Sequence, residues 1–484
     1  MNTAIRNLEP KNLWNNFADL NAVPRASKKE ERVIAFMVSF GEKLGLETQV
    51  DSVGNVIIKK PATSGMEARK TIVMQSHLDM VHQKNNDTVF DFDTEGIDML
   101  IDNDWVKANG TTLGADNGLG VATIMSVLES KEIAHPAIEA LFTIDEETGM
   151  TGAMGLKGGL LTGEILLNLD TEDDDEIGVG CAGGVDITAT KKYTPKDTPE
   201  NTHAYTITVK GLQGGHSGMD IHKGLGNANK LMNRILFALK DISTISEVDG
   251  GSLRNAIPRE SNAIICTQNK ENLEEAFYTI AKEIIDEYTA IEDDLEIILE
   301  ECPTPSTTLS KKEQLTLLQA IYTTHNGVFR MSPDIDNLVE TSNNVARVLV
   351  KDGTMQILCL TRSSVASGKD NLANGITAGF ELADFKVSLS GAYPGWKPNP
   401  NSAILKVLQK VYVDQFKEEP NILACHAGLE CGILGTNYPE MDMISFGPTI
   451  KGAHSPDERA SIRSVQKYWN YLLEILKHIP VKEN

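Results

Sequence analysis

Through roughly the first 185 residues, short runs of β-branched and aliphatic residues alternate with stretches whose apolar positions recur at helical spacing. Val56-Ile57-Ile58, Thr71–Met74, Ala137–Ile144 and Ile165–Leu169 read as strands. Glu30–Leu44, with Val33, Ile34, Met37 and Val38 on one face, and Leu119–Leu128 read as helices. Strand and helix by turns spell a mixed sheet flanked by helices, an α/β fold. The apolar runs stay far below the ~20 residues that a membrane-crossing helix needs. Each expected strand ends in a polar cluster, and in open α/β sheets the sites form at strand ends.

After Gly183-Gly184 the texture changes. Ala204–Lys210 and Ala263–Thr267 read as strands, Leu225–Leu239 and Leu273–Tyr288 as helices, the pattern of a separate α+β domain. Leu253-Arg254-Asn255-Ala256-Ile257, ahead of one strand, echoes Thr341-Ser342-Asn343-Asn344-Val345-Ala346, ahead of Met355–Leu360. Two short matches fit either a duplicated insert or chance. The Pro-rich stretch Tyr393–Pro400 disfavours helix and central strand alike and marks the return to the first domain. Ser402–Phe416 (helix), Met443–Phe446 (strand) and Ser464–His478 (helix) follow. The expected organisation is a first domain in two parts, 1–184 and 399–484, with an insert at 185–398.

Composition removes several function classes. With 45 basic against 68 acidic residues the net charge is −23, a field that repels nucleic acid and anionic membrane surfaces. Six cysteines without CxxC spacing point to reduced thiols rather than disulfides or thiolate zinc. The N-terminus has no apolar signal core, so a cytoplasmic location is expected. Any metal must therefore be held by histidine and carboxylate.

Five segments offer such ligands. In Gln75-Ser76-His77-Leu78-Asp79, the two-residue period puts His77 and Asp79 on one face, so Asp79 can orient the imidazole while its other nitrogen binds metal. Pairs of this kind also occur as ordinary hydrogen-bonded surface groups. The Gly-rich run Gly110–Gly120 lacks a phosphate-loop pattern, and Asp116 in its middle would repel phosphate. It reads as a metal-binding turn or as a turn whose aspartate caps the next helix. Asp145-Glu146-Glu147 leaves an apolar strand, where unpaired carboxylates are costly unless they meet cations. Asp170 ends another such strand. His454 tips a Gly/Pro loop, Phe446–Arg459. Two histidines and three carboxylates without cysteine suit N/O coordination of zinc or a harder divalent ion, including a pair that shares one carboxylate.

In this order, His77-Leu-Asp-Met-Val, Gly114-Ala-Asp-Asn-Gly, Asp145-Glu-Glu-Thr-Gly, Asn168-Leu-Asp-Thr-Glu-Asp and Gly452-Ala-His-Ser-Pro-Asp-Glu resemble the di-zinc peptidase family of aminoacylase, carboxypeptidase G and carnosinase, and within it the bacterial aminoacyl-histidine dipeptidases. The resemblance implies two zinc ions per chain, with cobalt or manganese able to substitute. His77, Asp116 and Asp170 would hold one and Asp116, Glu147 and His454 the other, with Asp79 orienting His77 and Glu146 as general base. It also implies dipeptide substrates, among them Xaa-His and β-alanyl-histidine, because family members that cut dipeptides tend to place Asp where Asp170 stands. In the insert, Gln213-Gly-Gly-His-Ser-Gly resembles the lid motif whose histidine, here His216, steadies the oxyanion. Asn255 and Arg362 resemble substrate-holding lid residues. The family allows a homodimer. An N-acyl amino acid amidohydrolase with the same ligands, or a non-catalytic metal-binding interaction protein, are the alternative readings; the non-ligand Glu146 speaks against the second.

Overall fold

The computed structural model describes residues 2–85, 87–399 and 401–482, so Pro400 of the Pro-rich stretch lies outside them. The chain divides into two compact units, Met1–Gly180 with Pro398–Ala424 and Leu429–Asn484, and Cys181–Lys397 with Cys425–Gly428. No helix among the described residues is long and apolar enough to cross a membrane.

The first unit is built on an eight-stranded sheet in the order Glu47–Val50, Val56–Lys60, Ile138–Thr143, Ile72–His77, Ile165–Asn168, Asp442–Ser445, Glu176–Cys181, Asn421–Cys425. The four strands from Ile138–Thr143 to Asp442–Ser445 are parallel. Ile72–His77, Ile138–Thr143 and Ile165–Asn168 are buried at every position, which explains their near-continuous apolar sequence: both faces of a parallel sheet are covered. From Ile72–His77 the chain next forms the neighbour on one side, Ile138–Thr143, and then the neighbour on the other, Ile165–Asn168. Such a reversal opens a crevice at the carboxyl ends of the strands. The final helix, Ile462–His478, buries Val465, Tyr468, Leu472, Ile475 and Leu476 at helical spacing, and Ser461 caps it by accepting from the Ser464 amide.

Two elements depart from the sequence expectation for identifiable reasons. The strand expected to stop at Met74 continues through Gln75 and Ser76 to His77, because the Gln75 side chain is buried among partners of its own kind. The helix expected from Leu119 runs over Ala115–Glu129, with Asp116 and Asn117 non-helical inside it. The Gly-rich turn is therefore the distorted first turn of that helix.

The second unit is a nine-stranded antiparallel sheet: Glu296–Glu301, His203–Lys210, Ser261–Thr267, Thr244–Gly251, Val339–Lys351, Thr354–Ser363, Gly183–Lys192, Lys386–Tyr393, with Gly327–Met331 added on Val339–Lys351. In chain order, helix, two long strands, helix and strand occur twice, as Ala228–Glu301 and Lys311–Tyr393, each with one further short strand, Ala256–Ile257 or Gly327–Met331, between its helices, and the main sheet order is a palindrome about the central pair. Helices Ala228–Ala238, Lys270–Tyr288, Lys311–Thr323 and Ala366–Leu382 contribute to one apolar core that includes Leu231, Phe277, Leu318 and Phe380. Ala366–Leu382 is hard to see in sequence, since Gly368, Gly375 and Gly379 lower its propensity. Its Leu372, Ala373, Ile376 and Phe380 still form a buried stripe.

Candidate metal centre

His77, Asp116, Glu147, Asp170 and His454 meet at the carboxyl ends of the parallel strands of the first unit. His77 is the last residue of its strand, and Asp170 lies two residues beyond Asn168. The turn after Thr143 places Asp145 in the left-handed region (φ 54°) and so delivers Glu146 and Glu147 side by side. His454, also left-handed (φ 64°), sits between Ile450–Lys451 and Arg459–Ser461, which pair with each other and, through the latter, with Trp105–Ala108. Non-glycine residues in this region are uncommon and recur at functional sites.

Asp116 is the centre of the arrangement. Its Oδ1 lies 3.1 Å from His77 Nε2, and its Oδ2 lies 3.1 Å from His454 Nε2. His77 Nε2 is also 3.6 Å from Asp170 Oδ1, and His454 Nε2 is 2.9 Å from Glu147 Oε2. Two candidate ligand sets result, His77–Asp116–Asp170 and Asp116–Glu147–His454, each with ligand atoms within 4.8 Å of one another. N and O atoms held ~2.0 Å from one tetrahedral ion would stand about 3.3 Å apart, so the observed spacings fit. Glu147 Oε1 is buried without a hydrogen-bond partner. A cation beside it would remove that cost.

The electrostatics agree. Burial works to raise the Asp116 carboxylate, and the hydrogen bonds from His454 and His77 overcome it and hold the group below its usual range. Hydrogen bonds to Asp116 and Glu147 lift His454 to about 11. Burial, and after it the neighbouring carboxylates, push Asp170 and Glu146 well up, although His77 works the other way. Crowded acids whose charges resist one another are what a bound divalent ion relieves. Glu146 joins His77 and Glu147 in a third group of this kind.

Asp79 serves two neighbours. His77 Nδ1 lies 3.1 Å from the Asp79 main-chain oxygen and 3.4 Å from its carboxylate. That carboxylate also accepts from the amides of Glu146 (3.0 Å) and Glu147 (3.3 Å) and from the Ser27 hydroxyl (2.7 Å). One buried aspartate thus contacts the histidine strand and the Glu146-Glu147 turn together.

His216 and Arg362 meet in the second unit. The amides of Gly218 and Met219 donate to His216 Nδ1 (3.2 and 3.0 Å), which fixes the neutral tautomer with its proton on Nε2. Burial, with the Arg362 charge second, lowers the imidazole to about 4. Arg362 is 4% exposed, donates to the Tyr393 hydroxyl at 2.9 Å, and brings Nη2 to 3.5 Å from His216 Nε2. Two N–H groups facing each other call for an acceptor oxygen. Asn255 is exposed, and its carbonyl accepts from the Ser217 amide at 2.7 Å.

Sequence reading missed a polar belt beneath the candidate ligands. Ser445 donates to Asn168 (2.5 Å), Asn168 to Gln75 Oε1 (2.5 Å), and Gln75 Nε2 to Glu430 Oε2 (2.6 Å), which also accepts from Thr143 (2.6 Å). All five side chains are fully buried, and they link four strand ends that lead to His77, Glu146-Glu147, Asp170 and the His454 loop. Glu430 opens the helix Glu430–Asn437, and burial raises it to about 7. Only polar residues interrupting apolar strands hinted at it. Glu430→Ala leaves two buried donors unmet, at about 1–3 kcal/mol each. Glu430→Gln keeps the accepting oxygen and should lose less than half as much. The urea midpoints of the metal-free variants would separate them; equal shifts would mean that the belt does not depend on this acceptor.

Comparison with known proteins is consistent across sequence and structure. The chain is 44% identical over 479 residues to a cytosol non-specific dipeptidase of Escherichia coli, covering 98% of this chain and 99% of that one. An aminoacylhistidine dipeptidase from Vibrio alginolyticus superposes with a TM-score of 0.94 at 44% identity, covering 99% of both chains. An aminopeptidase from Bacillus cereus, 16% identical with a TM-score of 0.58 over 98% of this chain and 99% of that one, shares the fold. Residues 73–478, which span every candidate ligand, match the peptidase family M20/M25/M40, and the chain belongs to that family.

Proposed function

We propose that this chain is a metal-dependent dipeptidase, holding two divalent ions and cutting the peptide bond of dipeptides, including those with C-terminal histidine. The observation that carries this reading is Asp116, whose two oxygens face two histidines of two ligand sets, in a chain alike from end to end to a protein named a dipeptidase. His77, Asp116 and Asp170 would hold one ion, and Asp116, Glu147 and His454 the other. Bound there, a pair of divalent cations would supply Lewis acidity to polarise the scissile carbonyl and acidify the attacking water. Zinc is the ion that this N/O set suits, with cobalt or manganese as substitutes.

The remaining steps belong to side chains. Glu146, whose buried carboxyl has a raised proton affinity, takes the proton of the attacking water and returns it to the leaving amine. Asp79 keeps His77 and the Glu146 turn in register. His216, with its proton on Nε2, donates to the oxyanion as the tetrahedral centre forms. Arg362 pairs with the substrate carboxylate through its planar fork, and Asn255 contributes to holding the substrate. A cytosolic location accords with the name of the E. coli relative. A homodimer is compatible with these assignments.

A hydrolysis screen of dipeptides after chelation and reloading with zinc, cobalt or manganese tests the reading. Release of both amino acids from Xaa-His dipeptides, β-alanyl-histidine included, is expected. Cleavage of N-acetyl amino acids with free dipeptides left intact would overturn it. Within the same assay Arg362→Ala should cost a free dipeptide at least ~10-fold in kcat/KM, as loss of a charge-assisted pair does. An amidated dipeptide should lose much less. His216→Ala should lower kcat more than it raises KM, because an oxyanion donor acts mainly in the transition state.

A further inference from the structure

Glu458 is 2% exposed and stands four residues after His454 on the same loop. Its Oε2 accepts from the amides of Leu113 (2.7 Å) and Gly114 (2.8 Å), and its Oε1 from those of Ala115 (2.8 Å) and Asp116 (3.1 Å). Four successive backbone donors therefore converge on one carboxylate. They open the helix Ala115–Glu129, whose own N-cap, Gly114, supplies no side chain. Free amides at a helix start need an acceptor and favour a negative one. On the other side of the same turn lies Arg25, 1% exposed. It donates to the carbonyls of Gly114 (2.6 Å), Leu78 (3.0 Å) and Asp79 (3.0 Å) and to Asn21 Oδ1 (3.0 Å). The backbone of Gly114 is thus gripped from both ends, N–H by a carboxylate and C=O by a guanidinium. Gly114 is left-handed (φ 68°), and a Cβ there would stand 2.4 Å from Arg25 Nη2, so glycine is required for this grip.

We propose that Glu458 and Arg25 are positioning residues for Asp116: an opposed pair of buried charges that locks the Asp116 turn to the His454 loop on one side and to the chain after His77 on the other. The proposal rests on the reading of Asp116 as the shared ligand. Asp116 can face two ions only if its turn is fixed relative to both histidines, and those three ligands lie on segments remote in sequence. Glu458 fixes the turn to the His454 segment, and Arg25 fixes it to the His77 segment. Burying two charges for this purpose is costly unless their hydrogen bonds are met, and here eight are, with Arg25 Nε the one buried donor of the pair left without a partner.

The test compares Glu458→Gln, Arg25→Lys and Asp116→Ala in the full chain. Each metal-free protein is titrated with zinc against a chromophoric chelator, and its melting temperature is read with and without zinc. In Glu458→Gln an amide NH2 confronts two backbone N–H groups, so zinc affinity should fall about 10–100-fold, the range for outer-shell partners of metal ligands. The zinc-induced rise in melting temperature should shrink with it. Excess zinc should restore much of kcat with KM near normal. A folded Glu458→Gln with native zinc affinity and a native zinc-induced rise, losing only metal-free stability, would overturn the proposal. Should that variant fail to fold, Arg25→Lys decides in the same way, because lysine keeps the charge and loses the fork. Asp116→Ala separates the two readings: if it keeps both ions at native affinity, the shared-ligand reading falls; if it loses them while Glu458→Gln binds normally, only the positioning role falls.

Discussion

Asp116→Ala is expected to release both metal ions at once, where loss of any other single ligand removes only one side of the centre. The reason is geometric. Each oxygen of Asp116 faces a different histidine at 3.1 Å, so the truncation takes one ligand from each set of three. The loss of affinity should exceed the ~10–100-fold typical of outer-shell changes, and turnover should fall with it. His454→Ala, by contrast, should spare the His77 side. Elemental analysis after dialysis against a weak chelator distinguishes them, and one tightly held ion in Asp116→Ala would rule out a shared carboxylate.

The second large effect is expected at Glu146. Its backbone amide is tied to Asp79 at 3.0 Å, so Glu146→Gln should preserve the turn and the position of Glu147. Only the capacity to accept and return a proton disappears. Metal content should stay at the native level while kcat drops ~10²–10⁴-fold, the span attributed to general acid–base groups. A fully loaded Glu146→Gln enzyme turning over at near-native rate would require the proton to travel by another group.

Sequence alone made the segments that carry the candidate ligands stand out because their surroundings are apolar. A carboxylate directly after Ile165–Leu169 or after Ala137–Ile144 has no bland place in a buried strand. The sheet, too, could be read from those runs, since strands covered on both faces leave little room for polar residues. What escaped notice shares one property. Apart from the bond of Arg25 to Asn21, Glu430, Arg25 and Glu458 act on backbone groups or on Gln75 and Thr143 that are remote in sequence, and nothing near them in the chain reports those partners. Glu458 even stood inside a motif, four residues after His454, but its partners are the amides of residues 113–116. Likewise Gln75 read as the first residue beyond a strand, although the strand runs on to His77. A polar side chain inside a buried strand is intelligible only once the neighbour that satisfies it is known.

The palindromic sheet of the second unit carries a hazard during folding. Its halves meet through only four registered residue pairs, Val248–Val350 to Gly251–Arg347, whereas ten join Thr354–Ser363 to Gly183–Lys192. With so short a central ladder and two halves alike in order, one half could pair with its counterpart in another chain, a failure characteristic of repeated architectures. Side-chain bonds between the halves add to that ladder both on the sheet, where Arg347 donates to Asp249 (2.5 Å), and off it. Lys230, on the first half, donates to the carbonyls of Ile321 (2.7 Å) and Thr324 (2.8 Å) at the end of a second-half helix, where a cation is favoured. Asn227 reaches Asn326 (2.9 Å), and Asn233 reaches the Leu318 carbonyl (3.1 Å). Correct assembly of this unit therefore draws on polar side chains of the helix Ala228–Ala238 and its cap as well as on strand register, since they bond to residues inside, at the end of and just beyond the other half's helix.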